Sequence, residues 1–191
     1  MRIYKTIFLF IVFLLSNFYL GNAYNLSSEE LPEMVIGTAS VQPGIDLVFE
    51  GAIKDDVQPE GYFLKESETD IHIEVLVNWN ENAPQGSPIG GFIPYLNISA
   101  EITNQQTEES SKILLSPHLN ISDNYHYAQN IKLPGYKDDL YTIEFSISPP
   151  SSETIGLHYD WRETVGNLII ESKTFTYSNL DFSAIVSATR R

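Results

Sequence analysis

The chain contains no cysteine, two methionines and four histidines among its 191 residues. Without thiols it cannot form disulfides, iron–sulfur clusters or a cysteine nucleophile, so a metal would be bound through imidazole, carboxylate, thioether or backbone oxygen. Basic residues are also few, because 11 lysines and arginines face 25 acidic residues and the net charge is −14. Such a chain is a poor partner for nucleic acid or anionic membranes, and its surface attracts cations.

Sequence motifs of the common enzyme classes are also missing. The chain has no glycine-rich phosphate loop, no His-Glu-x-x-His, no Gly-x-Ser-x-Gly and no calcium loop of EF-hand spacing. Nothing in the sequence marks a particular serine or carboxylate pair as catalytic. We therefore predict that the protein is not an enzyme.

The N-terminus has the layout of a secretory signal peptide. Arg2 and Lys5 precede the apolar run Ile7–Leu15, and Gly21–Ala23 supplies small residues suited to cleavage. The apolar run is shorter than the ~20 residues of a membrane-spanning helix, so an uncleaved anchor is the less favoured interpretation and we expect a protein that is not membrane-embedded. The predicted organisation is a signal peptide (1–23), an N-terminal leader (24–40), a single β-sandwich domain (41–180) and a C-terminal tail (181–191).

Short segments with period-two alternation follow the leader, separated by turn residues. Thr69–Trp79 is the clearest, because isoleucine and valine at its odd positions alternate with His72 and Glu74. No segment after the signal peptide has a helical period. The pattern predicts an all-β protein, an antiparallel β-sandwich of immunoglobulin-like type. The predicted strands are Ile45–Ile53, Thr69–Trp79, Ile93–Thr103, Ser111–Ser116, Tyr125–Leu133, Leu140–Ser148 and Ser172–Tyr177.

The four histidines are the candidate metal ligands. His72 and Glu74 share one strand face, roughly 7 Å apart, and would be either two ligands of one ion or a polar pair on a solvated face. His118 and His126 flank one loop and face each other if their strands are neighbours, whereas His158 belongs to a later connection. Each alone is more typical of a surface or hydrogen-bonded histidine than of a ligand, but strand ends and loops gather at one end of a sandwich. Together they predict a shared metal site.

Four sequence blocks occur in order: Asp70–Glu74, Phe92–Leu96, Tyr125–Ile131 and Gly156–Thr164. In these blocks the chain resembles the periplasmic ferrous-iron-transport-associated proteins of bacteria, which are secreted copper- and iron-binding partners of an inner-membrane iron permease. The resemblance extends from about residue 45 to residue 177. It implies a periplasmic, immunoglobulin-like β-sandwich that forms homodimers.

The resemblance also implies the metal ligands. His72 and Glu74, His126 and His158 stand at metal-binding positions of that family. Its members carry Met-Pro-Met shortly before the third block, where this chain has Ser-Pro-His, so His118 takes the place of a ligand methionine. Imidazole in place of a soft thioether should weaken the preference for Cu(I) relative to Cu(II), Fe(II), Mn(II) or Zn(II).

We therefore predict a periplasmic protein that captures or presents iron, with copper as a second metal, for an iron-uptake system. The alternative is a secreted adhesion or scaffold sandwich that binds protein or carbohydrate through aromatic residues. The aromatic residues of that alternative are Tyr95, Tyr125, Tyr127 and Trp161. Convergence of the histidines would favour the metal site, since ligand bonds are only ~2 Å long.

Overall fold

The computed structural model describes residues 33–189, so the predicted signal peptide and the first part of the predicted leader lie outside the described residues. No helix in this range is long and apolar enough to cross a membrane. The strands are β1 (Glu33–Val41), β2 (Ile45–Ala52), β3 (Ile71–Trp79), β4 (Asn97–Asn104), β5 (Ser110–Leu119), β6 (Tyr125–Ile131), β7 (Leu140–Ser148) and β8 (Lys173–Asp181). The helices are a 3-10 turn (Glu66–Glu68), α1 (Tyr159–Thr164) and α2 (Ser183–Ser187).

The eight strands form one antiparallel sheet in the order β1-β2-β3-β6-β5-β4-β7-β8. Strand β5 joins the two halves, because Ser110–Leu115 pairs with β4 and Ser116–Leu119 pairs with β6. The end strands β1 and β8 meet where Tyr177 lies against Gly37, so the sheet is nearly closed. The prediction of an antiparallel all-β protein with one domain is confirmed. The immunoglobulin-like arrangement stays a prediction.

The hydrophobic core lies between the two halves of the sheet. The alternating isoleucines and valines of β3, at the odd positions 71–77, are fully buried. Across the core, the ring of Phe49 in β2 lies 4.6 Å from the ring of Phe145 in β7, centroid to centroid. Burial of each such side chain contributes roughly 1.5–3 kcal/mol, so this packing holds the two halves together.

Strand β1 begins at Glu33, inside the segment predicted to be a leader outside the domain. The apolar run Met34–Ile36 and Gly37 break the alternation along this segment, so the sequence pattern did not reveal the strand. Tertiary packing explains the glycine: a Cβ at Gly37 would lie 2.1 Å from Cε1 of Tyr177. The domain therefore starts earlier than predicted.

The C-terminal boundary also differs. Strand β8 extends to Asp181, and α2 follows it with Phe182 and Ile185 buried in the core. Residues 181–187 thus belong to the domain and not to a tail. Another predicted element is shorter than expected, because β4 begins at Asn97 instead of Ile93.

Candidate metal centre

Three neighbouring strands bring histidines to one face of the sheet. His72 of β3 is paired with Asn130 of β6, and His126 of β6 is paired with His118 of β5. The ring centroids of His72 and His118 are 5.3 Å apart, those of His118 and His126 6.0 Å, and those of His72 and His126 6.3 Å. The expectation that His118 and His126 face each other across the base of their loop is confirmed.

Strand β5 reaches this face because it changes partners at Ser116. The predicted strand ended at Ser116, but β5 continues through Pro117 and His118 to Leu119. Proline lacks an N–H and is tolerated where a strand is hydrogen-bonded on one side only. From Ser116 onward β5 pairs with β6 alone, so Pro117 fits there and His118 is carried to His126.

The histidine face is covered, not solvated. The connection after β2 folds over it, and we call residues 55–64 the covering segment. His72, Glu74 and His126 are 3%, 4% and 1% exposed, so the interpretation of His72 and Glu74 as a polar pair on a solvated face is excluded. The cavity between sheet and covering segment measures about 380 Å³ and is lined by Asp55, Asp56, Val57, Gln58, Phe63, His72, Glu74, Pro117, His118, Leu119, Asn120 and His126.

The buried imidazoles point their Nε2 atoms toward Glu74. Nε2 of His72 lies 3.6 Å from Glu74 Oε1, and Nε2 of His126 lies 3.9 Å from Glu74 Oε2. On the far side of its ring, Nδ1 of His126 donates to the carbonyl oxygen of Asn124 over 3.2 Å. Asn124 has φ 62°, a conformation that asparagine tolerates well, and this turn aims its carbonyl at the ring. A carbonyl only accepts, so Nε2 of neutral His126 carries the lone pair.

His118 completes the cluster from β5. Its ring packs edge-on against Phe63 of the covering segment, with centroids 4.9 Å apart. Within the described residues, its buried Nε2 has no hydrogen-bond partner. A buried nitrogen without a partner costs free energy unless something else occupies it, and a metal ion would do so.

The donor atoms fit a transition-metal ion. One ligand atom from each of His72, His118 and His126 lies within 4.8 Å of the others. Two nitrogens on a tetrahedral ion with ~2.0 Å bonds are about 3.3 Å apart, so the ligand nitrogens need to approach one another by no more than about 1.5 Å. Glu74, Asp123 and His126 form a second set within the same limit. Imidazole with carboxylate suits iron, copper and zinc.

Burial keeps two of these imidazoles neutral. Burial, together with the neighbouring His72 and His126 and against the opposing effect of Asp55, lowers the pKa of His118 from 6.5 to about 4. Burial also lowers the pKa of His126, partly offset by the hydrogen bond to Asn124 and by Asp123. A histidine must be neutral to bind a metal, so the lowered pKa values favour the metal-binding form of both rings.

The fourth predicted ligand lies elsewhere in the chain. His158 is exposed, immediately before α1, and it lines a different cavity of about 360 Å³ that includes Trp79 and Trp161. It is absent from both donor sets among residues 33–189. One chain thus assembles His72, Glu74, His118 and His126, but not His158.

Two polar residues of the site were not singled out from the sequence. Asn130 contacts His72, and Asp123 belongs to the second donor set. The alternation of β6 would have placed Asn130 on the face of His126, four residues away.

The alternative of a binding surface formed by aromatic residues is weakened, because Tyr127 is buried and its hydroxyl donates to the Ile93 carbonyl and accepts from the Leu96 N–H.

These features define a class: an antiparallel all-β protein with a buried imidazole–carboxylate cluster suited to a metal ion. A family model described as "Fe2+ transport protein" matches residues 30–184. The chain therefore belongs to the Fe2+ transport protein family, as its sequence blocks predicted. This family is metal-binding and transport-associated, which confirms the predictions of a transition-metal ligand such as iron or copper and of a protein that is not an enzyme.

Individual relatives agree with this assignment. A copper-bound variant of P19 from Campylobacter jejuni superposes with a TM-score of 0.66 and 29% identity, covering 78% of this chain and 96% of that one. A copper-bound variant of FetP from uropathogenic Escherichia coli strain F11 superposes with a TM-score of 0.63 and 26% identity, covering 77% and 95%. A UPF0423 protein of Brucella abortus is 27% identical over 150 residues, 77% of this chain and 79% of its own.

Proposed function

We propose that this protein holds iron or copper in the periplasm at a centre formed by His72, Glu74, His118 and His126, and presents iron to an uptake system. The observation that carries the proposal is the convergence of three imidazole donors within 4.8 Å inside a covered cavity. Family membership supports iron as the transported metal. The copper-bound relatives support copper as a second metal of the same site.

The proposal includes a homodimer and an inner-membrane iron permease as partners. His158 remains a proposed ligand in that context only. Within one chain it lies in another cavity, so a fourth imidazole would reach the centre from a second copy. Its exposure leaves it accessible to such a copy.

Titration calorimetry with Cu(II), and with Fe(II) under anaerobic conditions, tests the centre. The wild-type protein should bind about one ion per chain, and the double variant His72→Ala/His126→Ala should bind more than about 100-fold more weakly, because it loses two of the ligands. If the double variant keeps wild-type stoichiometry and affinity for both metals, the proposed site is wrong.

The matched control is Tyr127→Phe. This residue neighbours His126 on β6 but points to the opposite, core face, where its hydroxyl is hydrogen-bonded to Ile93 and Leu96. The control should lose stability and keep metal affinity. Equal loss of affinity in both variants would mean that damage to β6, and not loss of ligands, explains the result.

A further inference from the structure

Asn130 is buried, with 2% of its surface exposed, and both the oxygen and the NH₂ group of its amide are hydrogen-bonded. Its Nδ2 lies 2.8 Å from the carbonyl oxygen of Asp55 and 2.9 Å from that of Leu64. Its Oδ1 lies 2.6 Å from Nδ1 of His72. One side chain of β6 thus contacts both ends of the covering segment and a ligand histidine.

The two carbonyls determine how the amide is oriented. A carbonyl oxygen can only accept, so the group facing Asp55 and Leu64 must be the NH₂ of Asn130. Its Oδ1 must then face His72. Because an amide oxygen also only accepts, Nδ1 of His72 has to carry the proton.

This proton assignment decides which nitrogen of His72 binds metal. A neutral imidazole protonated at Nδ1 has its lone pair on Nε2, and Nε2 of His72 faces Glu74. A ring protonated at Nε2 would present an N–H to the ion and could not bind it there. Hydrogen bonds to the second ring nitrogen are the usual means of orienting a ligand histidine.

We propose that Asn130 is a positioning residue that couples the covering segment to the metal centre: the closed segment orients its amide, and the amide holds His72 in the Nδ1–H tautomer with Nε2 directed at the metal. The expected effect on metal affinity rests on the proposed function. The expected tautomer of His72 concerns the metal-free protein and is tested without metal.

The test is ¹⁵N NMR of the histidine rings in the metal-free full-length mature protein at a pH where His72 is neutral. We expect the wild type to show His72 protonated at Nδ1. Asn130→Leu, which removes acceptor and donors, should lose that single tautomer. It should also show about tenfold faster amide exchange in residues 55–64 and a roughly 10- to 100-fold lower affinity for Cu(II).

Asn130→Asp separates the two contacts. An ionised aspartate still accepts from Nδ1 of His72 but cannot donate to the two carbonyls, so it should keep the Nδ1–H tautomer and release the covering segment. Asn104→Leu is the matched control, because Asn104 is an equally buried asparagine whose amide donates elsewhere, to Pro134 and Asp139. It should leave the tautomer, the segment and the affinity unchanged.

Two results would overturn the inference: a wild-type His72 protonated at Nε2, or an Asn130→Leu variant with an unchanged tautomer. The first needs no variant, so it holds even if Asn130→Leu fails to fold. A wild-type protein that shows the expected tautomer but binds neither Cu(II) nor Fe(II) would instead refute the proposed function and leave the role of Asn130 in orienting His72 intact.

Discussion

Two regions within residues 33–189 bury polar side chains, and they differ in how completely those groups are hydrogen-bonded. Around the β6–β7 loop, Asn104 donates to Pro134 and Asp139 and accepts from two backbone N–H groups. Nearby, buried Asp70 pairs with Lys137 and accepts from the Leu133 N–H. We call Asn104 and Asp70 with their partners the loop clamp.

The histidine centre is the opposite case. Among the described residues, its His118 has a buried Nε2 without a hydrogen-bond partner. Fully bonded buried polar groups stabilise a fold, whereas incompletely bonded ones are costly and mark places kept for a ligand. The loop clamp is therefore a structural network, whereas the histidine centre on the same sheet has the features of a binding site.

The largest expected effect is on the loop clamp. Asn104→Leu leaves two backbone N–H groups and two acceptors without their partner, so we expect the free energy of unfolding to fall by about 3 kcal/mol. Urea denaturation measures this, and calorimetry should show unchanged metal affinity. If Asn104→Leu keeps the wild-type free energy of unfolding, or if it weakens metal binding, the loop clamp and the histidine centre do not differ in the way described.

A smaller effect is expected at the centre. His118→Met restores a thioether, so Cu(I) affinity should rise and Fe(II) affinity fall, each by about tenfold, or roughly 1.4 kcal/mol. Competition titrations with a chromophoric Cu(I) chelator and anaerobic Fe(II) titrations measure both. Unchanged affinity for every metal would mean that His118 is not a ligand. Thermal unfolding checks that the variant remains folded.

A further effect concerns pH. The pKa of His118 is about 4 in the folded chain and near 6.5 when unfolded, so between these values the unfolded chain binds a proton that the folded chain does not. The free energy of unfolding of the metal-free protein should therefore fall as the pH decreases from 6.5 towards 4. The slope with pH should correspond to the uptake of about one proton by this residue on unfolding.

Denaturation at several pH values, with wild type and His118→Met compared, isolates this contribution. The difference in free energy between the two proteins should shift against the wild type as the pH is lowered through that window. A difference that stays constant from pH 7 to pH 4 would show that burial does not lower the pKa of His118.

Part of the site could be predicted from the sequence because strand periodicity is a local property. Alternation in β3 places His72 and Glu74 on one face whatever the rest of the chain does. The pairing of His118 with His126 needed only that their strands be neighbours, which a short connection favours. Strand β1 escaped detection because the apolar run Met34–Ile36 and Gly37 break its alternation, and only the close approach of Tyr177 explains the glycine.

The sequence by itself determined the all-β class, the family blocks and a donor set without thiols, because composition and alternation are properties of residue types and their spacing. Tertiary structure decided that the histidine face is covered, that Asn130 links the covering segment to His72, and that His158 lies in a separate cavity. These features depend on contacts between segments far apart in the chain: Asn130 is 75 residues from Asp55 and 58 from His72. No local pattern encodes such contacts, since they arise only when the strands close around one core.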